Sequence, residues 1–441
     1  MPYLVHSDED RGAMLETLGV DSMDRLLVDI PAQLRTSGLS LAPGLSEPET
    51  MREIRRLAVA NQVFEDRLTF RGGGVYRRFI PSAVGAVISK PEFYTAYTPY
   101  QPEASQGWLQ SIFEYQTAIA ELCGLDVANA SLYDGATALA EAAMMAVVQT
   151  GRHEILVAGY IHPEYLEVLN CFAQGRGFAV QHHSAAGEGA ASPGRVAVSS
   201  GTAAVIFQQP NFLGLLEDAP ALVELAHSAG ALAIACVDPI SLAVLAAPGE
   251  YGADIAVGEG QQLGLQPSYG GPHVGFIACR GELMRRLPGR LVGEAHDDQG
   301  RRGYVLTLTA REQHIRRDKA SSNICTNHAL CALAATVYLT YMGPPGLRSI
   351  AETSFRRAHA LAADLACLPG IQAAFPGHLF FNEVPMVVPD SAAVLDRLQR
   401  RGILGGLPVG RWFPELENVL IFCCTELNDP DSIGELVEAV K

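Results

Sequence analysis

From residue 108 onward the chain alternates between two hydrophobic periods. WLQSIFEYQTAIAEL (108–122) sets Trp108, Ile112, Tyr115, Ile119 and Leu122 on one face of a helix. ALAEAAMMAVVQ (138–149) predicts a helix, EILVAG (154–159) a strand and HPEYLEVLNCFA (162–173) a helix. AAVIFQQP (203–210) predicts a strand, APALVELAHSAG (219–230) a helix and ALAIACVDP (231–239) a strand, with ADIAV (253–257) and VGFIAC (274–279) completing the run. Short Val-, Ile- and Ala-rich strands alternating with helices predict an α/β fold with a mostly parallel sheet covered on both faces. Ligands of such sheets sit at the carboxyl ends of the strands. The loops to follow are therefore QQPNFLG, VDPISL and GEGQQLG.

The flanks read differently. Residues 7–60 are polar and helical, with Ser7 or Asp8 as a cap, Leu15 and Leu18 as an apolar stripe, and Pro31, Pro43 and Pro48 as punctuation. FRGGGVYRRFIPSAV (70–84) is a glycine-rich turn entering a helix, and PEFYTAYTPYQPEASQG (91–107) is too rich in Tyr, Pro and Gln for regular structure. After Arg280 a helical stretch leads through REQHIRRDKASSNICTN into an apolar helix, and the last hundred residues alternate again around VPMVVP (384–389) and VLIFCCTE (419–426). The expected organisation is an N-terminal helical arm (1–65), a large α/β domain (66–335) and a small C-terminal α/β domain (336–441).

Composition narrows the classes. The net charge of −16, from 48 acidic against 32 basic residues, disfavours nucleic acid and anionic membranes as partners. MPYLVHSDED is charged and lacks the apolar core of a secretory leader, and no apolar run approaches a membrane span. Nine cysteines without a CxxC pair read as reduced, cytoplasmic and largely structural, and the twelve histidines show no metal-ligand spacing. Only three lysines occur, Lys90, Lys319 and Lys441.

Five stretches bear on the chemistry. Tyr133, Asp134 and Gly135, opening a helix in ASLYDGATALAEA, could hold an anion on free backbone N–H groups, or Asp134 could simply cap the helix. Asp238 ends a strand at a cleft, where a carboxylate could hold a protonated pyridine nitrogen; it could also be a turn-forming Asp-Pro. Tyr94, Tyr97 and Tyr100 suit a cleft wall or a proline-rich loop anchored by its aromatics. In EQHIRRDKASSNICTN, His314, Arg316, Arg317 and Lys319 read mainly as a solvated helical face, with Asn323 kept as a candidate. The loop with Glu259, Gln261 and Gln262 borders the same cleft, and glutamine cannot form an imine.

Taken together, FYTAYTPYQPEASQG, ANASLYDGATALAEA, QQPNFLG, VDPISL, ADIAVGEGQQLG, SYGGPHVGF and RRGYVLTLTAREQHIRRDKASSNICTN resemble the alpha (N-terminal) subunit of the two-chain glycine decarboxylase, the P-protein of the glycine cleavage system. The resemblance implies the aspartate-aminotransferase-like fold (fold type I) of pyridoxal phosphate enzymes. It also implies that the cofactor lysine lies on a homologous beta subunit, so that this chain binds no cofactor covalently and is inactive alone. In that family glycine is decarboxylated through a pyridoxal phosphate imine, and the aminomethyl group passes to the lipoyl arm of H-protein. By position Tyr133, Asp134, Gly135, Asp238, Gln261 and Gln262 become a vestigial cofactor pocket. Tyr94, Tyr97 and Asn323 become wall residues lent to the partner in an alpha2beta2 assembly, and Cys325 a regulatory candidate. Two competing readings are a docking scaffold for H-protein and an autonomous enzyme using Lys319 or Lys90.

Overall fold

A computed structural model describes residues 5–36, 38–61, 67–185 and 187–441. The chain divides into two compact units, 1–63 and 64–441. In the first, α1 (Asp8–Thr17) starts at a reciprocal cap: Asp10 N–H donates to Ser7 Oγ and Ser7 N–H to the Asp10 carboxylate. The cap is thus Ser7, and Asp8 is the first helical residue. α2 (Glu47–Ala58) has the same cap from Ser46 and Glu49. Neither helix buries a residue, and the stripe expected from Leu15 and Leu18 leaves Leu18 exposed.

The second unit begins with β1 (Leu68–Thr69), α3 (Ser82–Ile88), the single turn α4 (Pro91–Tyr94) and α5 (Gln106–Cys123). There follow β2 (Val127–Ala128), α6 (Gly135–Thr150), β3 (Glu154–Ala158), α7 (Pro163–Arg176), β4 (Ala179–His183), β5 (Thr202–Gln209), α8 (Ala219–Ser228), β6 (Leu232–Val237), β7 (Ile255–Glu259) and β8 (Gly275–Cys279). These strands form one seven-stranded sheet in the order β2-β8-β7-β6-β5-β3-β4. β4, β3, β5, β6 and β7 run parallel, while β8 is antiparallel to both β7 and β2. β5 through β8 are buried almost throughout, as their unbroken apolar sequences require when both faces are covered.

β9 (Leu291–His296) and β10 (Arg302–Thr307) make an antiparallel hairpin that the pattern of residues did not announce. α9 (Gln313–Arg316) is a single turn, and α10 (Ala329–Ala366) is two helices joined at Gly343. The arginine-rich stretch 312–327 is therefore not the helical run expected of it. Arg317 and Asn327 take positive φ, and α-helical geometry resumes only at Ala329. The 91–107 segment likewise contains the turn α4 and the first residues of α5. The chain ends with β11 (Gln372–Ala373), β12 (Glu383–Val387), α11 (Ser391–Arg400), β13 (Ile403–Leu404), β14 (Leu407–Pro408), β15 (Val419–Cys423) and α12 (Pro430–Val440). β11, β12, β15 and β14 form an antiparallel sheet whose core includes Val384, Met386, Leu420 and Phe422, and β13 pairs with β1. Among the described residues, no helix is long and apolar enough to cross a membrane.

Candidate functional site

The carboxyl ends of β5, β6 and β7 deliver Gln208, Asp238 and Glu259 to one small crevice, as expected for an open parallel sheet. From the opposite side come Gly74 and Tyr76, His162 and Tyr165 of the segment around α7, and Asn382 and Glu383 at the start of β12.

Asp238, Gln262, Glu259 and Glu383 in the crevice each have partners within the chain. Asp238 Oδ1 accepts from Ile240 N–H and Ser241 N–H, both at 2.8 Å, and its Oδ2 accepts from Gln262 Nε2 at 2.5 Å. Asp238 thus combines the turn-forming role with a side-chain partner from the next loop. Gln262 Oε1 accepts in turn from Arg78 Nε at 2.7 Å. The Arg78 guanidinium is buried and also reaches Ser354 Oγ and Glu426 Oε2, at 3.2 and 2.7 Å. Gln261 pairs with Tyr76 in both directions, accepting from its N–H and donating to its carbonyl at 3.0 and 3.1 Å. The glycine-rich 70–80 segment is therefore laid across the crevice rather than standing as a free turn. Its Gly73 N–H and Tyr76 hydroxyl both donate to the Glu383 carboxylate, at 2.7 and 2.9 Å. Burial pushes the Glu383 carboxyl up to about 7.

The amino end of α6 meets the crevice through Glu259. Asp134 Oδ1 accepts from Thr137 N–H at 2.7 Å, so the capping alternative is realised. Gly135 N–H donates to Glu259 Oε2 at 2.9 Å. Glu259 Oε1 accepts from Gln261 N–H and Val274 N–H, at 2.8 and 3.2 Å. His273 Nδ1 lies 3.4 Å from Glu259 Oε2, a contact that holds the imidazole above its ordinary pKa. A side chain at position 135 would press within 2.4 Å of the Tyr165 hydroxyl, which explains the glycine.

The cavity left inside this lining is about 40 Å3. A water occupies roughly 30 Å3 of liquid, and ligand pockets run from about 300 Å3 upward. Pyridoxal phosphate also needs an amine, a seat for its phosphate and a partner for its ring nitrogen. No lysine lines the crevice, Glu259 takes the helix N–H, and Gln262 takes Asp238. The residues present do not fit that cofactor.

The other expected residues lie elsewhere. Tyr94 and Tyr97 are 69% and 71% exposed, with Tyr100 6.3 Å from Tyr97 between ring centroids. Tyr133 packs against His328 with the rings tilted by 47° and their centroids 5.1 Å apart, outside the crevice lining. Asn323 is exposed, whereas Asn327 is buried, donating to Ser131 O and accepting from Arg290 N–H. Lys90, Lys319 and Lys441 are all exposed. The fold also gathers Glu312, His314 and Cys325, whose ligand-type atoms lie within 4.8 Å of one another. Sequence reasoning did not single out Tyr76, Arg78, His162, Tyr165 or Glu383. Of these only Glu383, an acid opening an otherwise apolar strand, left a local signal.

Residues 1–440 match the family described as the glycine cleavage system P-protein. A Desulforamulus reducens protein, described as probable glycine dehydrogenase (decarboxylating) subunit 1, is 49% identical over 430 residues, covering 97% of this chain and 96% of its own. A crystal structure of glycine decarboxylase (P-protein) of the glycine cleavage system, in inhibitor-bound form, superposes with a TM-score of 0.92 at 46% identity, covering 100% of this chain and 99% of the other. A sphingosine-1-phosphate lyase from Burkholderia pseudomallei shares the fold alone, with a TM-score of 0.66 at 14% identity over 93% of this chain and 94% of the other. The fold is that of the fold type I pyridoxal phosphate enzymes.

Proposed function

The chain belongs to the glycine cleavage system P-protein family, and from that premise we propose that it is the subunit of a two-chain glycine decarboxylase that does not carry the cofactor. One observation supports this above the others: the strand-end crevice is lined by the chain's own Glu259 and Gln262, which take the Gly135 N–H and Asp238, with no lysine in its lining. A homologous beta subunit, paired with this chain as alpha2beta2 in the cytoplasm, then supplies the lysine and holds pyridoxal phosphate. When bound there, the cofactor supplies the electron sink for decarboxylating glycine, and the aminomethyl group leaves on the lipoyl arm of H-protein. No acid, base or nucleophile comes from this chain.

Its contribution is a surface. Tyr94, at the end of α4, and Tyr97, just after it, expose large rings, which give a partner's cleft an apolar wall with hydroxyls for orientation. Asn323 is the third wall residue in this reading and is likewise exposed. The test is glycine–bicarbonate exchange by the reconstituted enzyme carrying Tyr94→Ala and Tyr97→Ala. With assembly intact, exchange should fall roughly tenfold or more, which corresponds to about 1.4 kcal/mol of lost transition-state stabilisation. Unchanged exchange by an intact assembly would replace the wall with the scaffold reading, in which the chain only docks H-protein.

A further inference from the structure

We propose that the Glu259 carboxylate is a built-in counter-anion for the amino end of α6, seated where a phosphate-bearing ligand would otherwise bind, so that this chain is closed to such ligands. The inference rests on the reading that the crevice is a disused cofactor pocket.

α6 is a sixteen-residue helix whose first free N–H, that of Gly135, points at the crevice. Helix amino ends favour negative charge and have N–H groups to offer it. The local cap takes only part of that demand, because Asp134 satisfies Thr137 N–H and leaves Gly135 to another acceptor. Glu259 reaches across from the end of β7 to supply it, and the same carboxylate gathers Gln261 N–H, Val274 N–H and His273. Three backbone donors and an imidazole converging on one buried carboxylate make an anion site in all but the origin of the anion. Gly135 has no room for a side chain against the Tyr165 hydroxyl, and its N–H meets the Glu259 carboxylate. The cavity left beside the carboxylate is about 40 Å3, small next to an ordinary ligand pocket. Gln262 complements this on the other side by donating to Asp238, the carboxylate a ring nitrogen would need.

Removing the carboxylate should turn the site into a receptor for free anions. The probe is inorganic phosphate on the purified full chain, compared with sodium chloride at matched ionic strength. Wild type should show no saturable phosphate uptake by equilibrium dialysis. Glu259→Ala should melt below wild type in chloride and regain a few degrees of Tm in phosphate, saturably and beyond the small non-specific rise seen for wild type. If Glu259→Ala is not recovered folded, its refolding yield becomes the readout: more soluble chain in phosphate than in chloride supports the proposal, and equal yields overturn it. Saturable phosphate binding to wild type, or identical phosphate responses of the two proteins, also overturns it. No catalytic activity enters this test, so the proposal can fail while the subunit assignment stands, and the reverse.

Discussion

Glu383 shows how one side chain can couple distant parts of the chain and make stability depend on pH. It opens β12, yet its two oxygens serve Gly73 N–H and the Tyr76 hydroxyl, about 310 positions away. Burial, with the nearby Asp238 charge acting the same way, raises its folded-state pKa from the ordinary 4.5 to about 7. A raised carboxyl contributes stability that is fully present below the unfolded value and is lost as pH rises through the folded one. Between those values the loss is at most about 1.4 kcal/mol per pH unit from this group. Glu383→Gln removes that slope. Its Tm relative to wild type should therefore move in the variant's favour between about pH 5 and pH 7.5, and a constant difference across that range would contradict the assignment. Asp238 and Gln262 were visible as candidates because each sits just past an apolar strand. Glu383 and Tyr76 were not, since nothing local ties a strand-initial acid to a tyrosine so far upstream.

At the scale of elements, the joint in α10 has a definite cause. Gly343 holds φ 58° and ψ 177°, a conformation open essentially to glycine alone, and Pro344 and Pro345 begin the second helix after it. Gly343→Ala should lower stability by about 1–3 kcal/mol, read as a fall in Tm or in the denaturation midpoint. An unchanged midpoint would mean the joint is not strained for an L residue. The same logic explains what the residue pattern revealed and what it hid. The strands β3, β5, β6, β7 and β8 were legible because unbroken Val, Ile and Ala runs between helices have few other uses. The 312–327 stretch departs from the expected helix because Arg317 and Asn327 adopt positive φ.

Across the whole molecule, the three lysines are exposed and none approaches the strand-end crevice. Purified chain incubated with pyridoxal phosphate and then borohydride should therefore show no stoichiometric adduct by mass spectrometry. A full-occupancy adduct on Lys319 or Lys90 would favour the autonomous enzyme instead. The sequence by itself determined the covered, mostly parallel α/β architecture, the three strand-end loops that reach the crevice and the absence of a lysine in them. Those follow from hydrophobic period and residue chemistry, which are local properties. Only the tertiary structure decided that the crevice is shut. Glu259 meets Gly135 across 124 positions and Gln261 meets Tyr76 across 185. Which donor finds which acceptor at such separations is set by the path of the chain, and no periodicity in the sequence encodes it.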